Sequence, residues 1–249
     1  DQEKEAALFH VVDIYAAQQK WPDVIKSAEQ FVVSYETSEH APMVRLLHAD
    51  GLLDQRKFAD CRVELDELRT AVLNQQIAAD EWTERIWVVL AELALVEKRY
   101  ADIDATAEEL ESRVPTSRLL FQIRNVQGKR WKSQAPPDFA RSRDYLLQVV
   151  QDEHGKGTET AARSQFLIAE TLLMEKNYAA AAREFYRVYL NYPFVELRAG
   201  ALLQAAQCEM ELKQTDQAIR SLEDLIADFP KTEYAETAKA RLKELTEKK

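Results

Sequence analysis

Residues 199–230 read AGALLQAAQCEMELKQTDQAIRSLEDLIADFP. Leu202, Leu203, Ala206, Met210 and Leu212 recur at steps near 3.6, with Gln and Glu between them. Ile219, Leu222, Leu225, Ile226 and Phe229 repeat the pattern across 218–229. The stripe is helical, not alternating, so each run carries one apolar face of a helix. Lys213-Gln214-Thr215-Asp216 interrupts the two runs. Pro230 ends the second, because the residue before a proline is pushed out of the α region. The stretch predicts two antiparallel helices joined by a short turn. Nowhere does the chain alternate apolar and polar residues beneath a hairpin turn, so no strand is predicted.

The unit recurs along the 249 residues. Large aromatics open the second helix of successive pairs at Trp21, Phe58, Tyr100, Phe139 and Tyr178, with Thr215 in the same place, at spacings of 37, 42, 39, 39 and 37. Fourteen residues after the opening position stand Tyr35, Val114, Tyr192 and Phe229, and proline follows the last three. Between these marks lie core-facing positions such as Ala28 and Phe31, Leu65 and Leu68, Ala107 and Leu110, Leu146 and Val149, Phe185 and Val188, Leu222 and Leu225. A period of this length is the mark of a stacked repeat array, in which each pair buries its apolar face only against its neighbours. The spacing predicts one domain over 1–249, with pairs at 5–38, 42–75, 84–117, 118–156, 162–195 and 199–232 and a capping helix at 234–247. The cap keeps Tyr234, Ala235, Ala238, Leu242 and Leu245 on one face and Lys239, Lys243, Glu244, Lys248 and Lys249 elsewhere.

Composition excludes several classes. With 5 Gly and 7 Pro the chain is neither collagen-like nor a Pro/Gly-rich disordered segment. Its 22 aromatic residues (4 Trp, 9 Tyr, 9 Phe) exclude an acidic disordered chain. A net charge of −10 argues against general nucleic-acid binding, which is driven by Lys and Arg displacing counterions from phosphate. The longest apolar run, Ile86 to Val96, contains Glu92 and falls short of the ~20 residues of a transmembrane helix. Two cysteines without close spacing, Cys61 and Cys208, form neither a disulfide framework nor a metal site. The sequence opens at Asp1 without an initiating Met and without the basic-then-apolar order of a signal peptide, so it reads as processed or cut from something longer.

The aromatic, the small residue three positions on, the large apolar residue and the terminal Pro together resemble the tetratricopeptide repeat family. Tyr178, Ala181, Phe185 and Pro193 carry the pattern in the fifth unit, and Ala218, Leu222 and Pro230 in the sixth. Ala49, Ala91, Ala169 and Ala206 stand at the family's close-packing point in the first helix, and Trp87 stands where the family often has Trp. The endings YPFVELRAGALL and FPKTEYAETAKARLKEL are similar to the bacterial envelope subset, which includes outer-membrane assembly lipoproteins and TolA-binding periplasmic proteins. Unit four departs from the pattern at Gln127-Gly128-Lys129-Arg130 and at the inserted Ser133-Gln134-Ala135-Pro136-Pro137. The resemblance implies an all-α, right-handed superhelical solenoid of about six helix pairs plus a C-terminal capping helix. It implies a non-catalytic scaffold for protein–protein interaction, located in the bacterial periplasm or at the outer membrane, with the cytoplasm as the second choice.

In this family the first helices of successive pairs line the concave face. The resemblance therefore implies an apolar row of Phe9, Leu46, Val88, Asn125, Phe166 and Leu203 beside a mainly acidic row of Asp13, Asp50, Glu92, Lys129, Glu170 and Gln207. A third row holds Ala16, Leu53, Leu95, Lys132, Leu173 and Met210. Acidic clefts concentrate basic partners, and apolar pockets beside them provide anchoring area, so the expected partner is a protein or peptide with Lys or Arg at intervals. Against this stands a plainer reading, in which the charges are simply solvated and the apolar row packs under neighbouring helices. The same repeats also suit a structural subunit of an envelope complex, acting through its ends or convex face, and an accessory domain of a larger polypeptide. The first helix, with Leu8, Phe9, Val11, Val12, Ile14 and Tyr15 around most of its circumference, is expected to pack against an upstream repeat or a second copy of the chain, or else to carry a thick core stripe.

Arg113, Arg118, Arg124, Lys129, Arg130 and Lys132, with Phe121 and Trp131 among them and Arg141 and Arg143 following, form a local basic cluster. Basic residues interleaved with aromatics suit nucleic acid or anionic lipid, but in an acidic chain the cluster reads first as a solvated helix face, with an anionic partner segment as the middle option. No catalytic, cofactor or metal constellation is predicted. His10, His40, His48 and His154 are scattered and no HExxH pair exists. His154-Gly155-Lys156-Gly157-Thr158 lacks the glycine and the preceding strand of a phosphate loop and reads as an inter-repeat loop.

Overall fold

The computed structural model describes residues 2–247, so Asp1, Lys248 and Lys249 lie outside the described residues. Every regular element among them is an α-helix: α1 (Gln2–Ala17), α2 (Trp21–Ser34), α3 (Ala41–Asp54), α4 (Phe58–Leu73), α5 (Glu81–Val96), α6 (Tyr100–Arg113), α7 (Leu120–Ser133), α8 (Phe139–Gln151), α9 (Glu159–Met174), α10 (Tyr178–Asn191), α11 (Val195–Glu211), α12 (Thr215–Asp228) and α13 (Glu233–Glu247). The helices pair in sequence order and α13 follows the last pair. The fold is that of a helical solenoid.

Local chemistry sets the helix ends. Pro22 and Pro42 occupy the first turns of α2 and α3, where the missing N–H costs nothing. Asp80 and Thr83 form a reciprocal capping box on α5. Asp138, Thr158 and Asn177 cap α8, α9 and α10 through the backbone N–H groups of Arg141, Ala161 and Ala180. Thus the His154–Thr158 stretch is a helix-capping loop. Tyr35, Val114, Tyr192 and Phe229 are the C-caps of α2, α6, α10 and α12, so the fourteen-residue mark is where second helices stop.

Five of the six turns inside the pairs share one device. Gln19, Arg56, Lys98, Lys176 and Lys213, each two residues before a second helix, have φ between 54° and 60°. The following N–H reaches back to a carbonyl five residues earlier, as in Lys57 to Leu52, Asn177 to Leu172 and Gln214 to Glu209. This is the paired-bond helix ending that left-handed residues make, here without glycine.

The second helices bury three successive layers. Three residues in are Val24, Cys61, Ile103, Ser142, Ala181 and Ala218, each with no exposed surface. Seven residues in come Ala28, Leu65, Ala107, Leu146, Phe185 and Leu222, and ten residues in Phe31, Leu68, Leu110, Val149, Val188 and Leu225, all buried. Burying a side chain such as Phe185 or Leu65 in full contributes about 1.5–3 kcal/mol each. The facing first helices supply Val12, Ala49, Ala91, Gly128, Ala169 and Ala206, small or β-branched and buried. There Cys61 Sγ donates to the Ala49 carbonyl at 3.3 Å and Ser142 Oγ to the Gly128 carbonyl at 2.8 Å. Gly128 therefore takes the place of alanine in unit four, and the longer loop after it absorbs the inserted residues.

The chain divides into two compact units between Ile123 and Arg124, inside α7. Within the first, Val12, Val24, Phe31, Val44 and Leu47 form one continuous cluster. Within the second, Ala169, Phe185, Val188 and Ala205 form one cluster and Leu202, Leu222, Leu225 and Phe229 another. Side-chain bonds at one-repeat separation stitch neighbours together in each. Arg85 reaches Asp50, 35 residues away, and Ser117 reaches Glu84, 33 away. Asn125 reaches Ser164, 39 away, and Tyr186 comes to Ser221, 35 away. In α13, Ala235 and Ala238 are buried while Lys239 and Lys243 stay exposed, giving a polar outer side. No helix of the described residues is long and apolar enough to cross a membrane.

Candidate functional site

The residues expected in rows on the first helices have unequal surroundings. In the first unit, Phe9 is half-buried and stacks on His40 at 4.4 Å, and Asp13 is exposed. Leu46 and Val88 are buried in the core. Asp50, 9% exposed, accepts from Arg85 Nη2 at 2.5 Å. Burial raises the Asp50 carboxyl to about 6, a rise that the Arg85 charge limits and Glu92 reinforces. Glu92 is half-buried.

In the second unit, Asn125 is buried and donates to Ser164 Oγ at 2.7 Å, and Leu203 is buried. Lys129, Glu170 and Gln207 are half-buried. Lys132 donates to Glu170, and Arg241 Nη1 to Gln207 Oε1 at 3.2 Å. Phe166 is half-buried and meets Phe185 edge-on at 5.0 Å. Members of the polar row thus bond to side chains of adjacent helices: Asp50 to α5, Glu170 to α7, Gln207 to α13.

Phe166 and Lys129 belong to an open cleft of about 590 Å³ on the first-helix side of the second unit. Leu167, Phe194, Val195, Leu197 and Tyr234 supply the rest of its apolar lining, with Glu159, Arg163 and Glu196 charged beside them. Val195 is 50% exposed and Tyr234 37%. Gly200 lets the two rings pack closely on α11, because a Cβ there would stand 3.3 Å from Tyr234 Cζ and 3.6 Å from Phe166 Cε2. Arg163 Nη2 lies 2.5 Å from Glu159 Oε1, so two of the charges satisfy each other. A second cleft of about 460 Å³ lies beside Gln207 and Met210, closed by Arg241, Glu244 and Leu245 of α13.

Phe194, Val195, Leu197 and Tyr234 belong to none of the expected rows. They come from the first turns of α11 and α13, and their signals were Phe194 after Tyr192-Pro193 and Gly200 within a run of alanines.

In the basic cluster, Arg130 and Arg141 both lie over the Trp131 ring, their guanidinium carbons 4.4 and 4.6 Å from its centre. Arg143 pairs with Glu175 at 2.7 Å and Arg113 with Glu109 at 3.4 Å, while Phe121 is buried. The expected first-helix surface is partly covered: in α1 Val12 is buried and Leu8, Phe9 and Tyr15 half-buried, whereas Val11 and Ile14 are 37% and 51% exposed. Among the described residues, no group of three or more His, Cys, Asp and Glu is placed to hold a metal ion.

The sequence of residues 200–232 matches the tetratricopeptide repeat. A search among curated proteins finds no match. The fold is similar to the solved structure of Pseudomonas aeruginosa PilF, with a TM-score of 0.61 over 96% of this chain and 98% of that one, at 13% sequence identity. The likeness establishes a helical solenoid fold for the chain, with a tetratricopeptide repeat within residues 200–232.

Proposed function

We propose that the chain is a non-catalytic scaffold that binds a protein or peptide partner on the first-helix side of its repeats, with the cleft around Phe166 as the anchoring point. The observation that carries this is the cleft itself, about 590 Å³ of half-open, mainly apolar space. Half-exposed aromatics in a concavity supply binding area at little cost in side-chain entropy, and a central apolar anchor with a polar surround is the usual anatomy of a binding hot spot. Glu196 at its rim offers a contact for a Lys or Arg near the partner's anchor residue, beside Lys129 and the Arg163–Glu159 pair. Much of the polar row is bonded within the chain, so burial of the anchor outweighs charge. An envelope location is proposed on the likeness of the repeat endings to that subset of the family.

The test is affinity capture from native lysate with the wild-type chain and with Leu167→Asp, whose helicity is checked by circular dichroism. A protein retained by the wild type and lost by the variant supports the site. Identical capture by both contradicts it. A second mode, association through the α1 end, is favoured by exposed Val11 and Ile14. Light scattering across concentration, with Ile14→Asp as control, tests it: a wild type that stays monomeric removes self-association.

A further inference from the structure

Glu196, Gly200, Leu203 and Gln207 share one face of α11, since steps of four and three residues return to the same side of a helix. Two open clefts of the second unit lie at the ends of that face. Glu196 lines the cleft that holds Phe166, and Gln207 lines the cleft of Met210, Leu222 and Leu245. Between them Gly200 has no side chain and Leu203 is 7% exposed, so the face is low there. Gln207 is eleven residues beyond Glu196, which places the clefts about 16 Å apart along the helix axis.

That distance decides the form of an occupant. Three turns of α-helix rise about 16 Å and bring residue i+11 back to the side of residue i. An extended chain covers the distance in about five residues, and an odd step turns the second side chain to the opposite face. A helix laid along α11 therefore fills both clefts, whereas a strand fills one.

Charge sorts the remaining contacts. At the first cleft Lys129 stands on the α7 wall and Glu196 on α11, while Arg163 is matched by Glu159 at 2.5 Å. A helix along α11 meets Glu196. At the second cleft Gln207 accepts from Arg241 at 3.2 Å and donates to Glu211 at 3.2 Å, and Glu244 and Lys213 balance in sign. Complementarity thus asks for a cation beside the first anchor and no net charge beside the second.

We propose, on the reading that the Phe166 cleft anchors a partner, that this partner is an amphipathic helix lying along α11. It places large apolar residues eleven positions apart in the two clefts and a Lys or Arg within one turn of the residue at Phe166. Each anchor raises the effective concentration of the other, so the pair binds more tightly than either alone.

The probe is a phage-displayed library of random peptides of about 18 residues, selected on the full chain and counter-selected on Leu167→Asp. The expected result is enrichment of sequences with two large apolar residues eleven apart and a Lys or Arg beside one of them. Met210→Asp weakens a selected peptide at least about tenfold and Glu196→Lys weakens it less, with helical circular dichroism retained in both. The spacing is read on the wild-type chain, so it does not depend on either variant folding. Enriched pairs at spacings of four or six, which mark an extended chain, overturn the proposal and leave the Phe166 cleft standing as an anchor. So do single-anchor peptides indifferent to Met210→Asp. No enrichment over Leu167→Asp removes the cleft reading and the proposal with it.

Discussion

The guanidinium of Arg85 on α5 reaches the carboxylate of Asp50 on α3 at 2.5 Å, joining two neighbouring helix pairs through a group that is 9% exposed. Burial is the larger influence, and it raises the Asp50 carboxyl from 3.8 to about 6 despite the cation. The folded state therefore binds the Asp50 proton more tightly than the unfolded state. Stability falls as pH rises from about 4 through about 6 and is level above that, a loss on the order of 3 kcal/mol from this group. Asp50→Asn, which mimics the protonated form, is expected to unfold at higher denaturant than the wild type above pH 7, with the gap closing as pH falls toward 4. Chemical denaturation across that range checks it, and a gap independent of pH counts against it.

Gly128 on α7 faces Leu146 on α8 so closely that a Cβ would come within 2.6 Å of Leu146 Cγ and 3.3 Å of the Ser142 carbonyl. Gly128→Ala is expected to destabilise the second unit by ~1–3 kcal/mol through overpacking, even though alanine favours helix. Thermal unfolding measures it. A neutral or stabilising result would show that the helices separate freely at this crossing.

The repeat period, the helix pairs and the three core layers were legible because each follows from one residue type recurring at one spacing, as in Phe31, Leu68 and Leu225. Two things were not. The left-handed turn residues are Gln, Arg and Lys, which carry none of the signal a glycine would. The inner rows of the first helices were the other. Such a helix meets its own partner and both neighbouring pairs, so its apolar stripe is wide, and periodicity cannot tell the buried edge of that stripe from the open one. Leu46, Val88 and Leu203 lie on the buried edge, and Phe166 on the open one. The cleft also draws on Phe194 and Tyr234 at helix starts, where no repeat position marks them.

The turns themselves are testable. Lys98, Lys176 and Lys213 hold φ near 60°, a region costly for a β-branched side chain. Lys176→Val is expected to lower the unfolding midpoint, at a cost of at least ~1 kcal/mol, whereas Lys176→Gly is expected to be close to neutral or stabilising. If valine and glycine behave alike in thermal melts, the turn is not left-handed in solution.

Cys61 and Cys208 are buried and free, and burial pushes their thiols up to about 12 and about 11. The thiolate is the reactive form, so both are expected to resist a disulfide reagent at pH 8 in the native protein and to react promptly in denaturant. Stoichiometric labelling of the native chain within minutes would show that these layers open readily.

The cleft beside Phe166 is the place where a partner polypeptide is proposed to be held. Photo-crosslinking probes it at the residues themselves, with a benzophenone amino acid placed at Leu167 or Val195 and, as controls, at exposed Val63 and Leu190 on second helices. Binding in the cleft predicts one discrete adduct of the same partner from both cleft positions and none from the controls. Adducts from Val63 or Leu190 with silence at Leu167 and Val195 would contradict it.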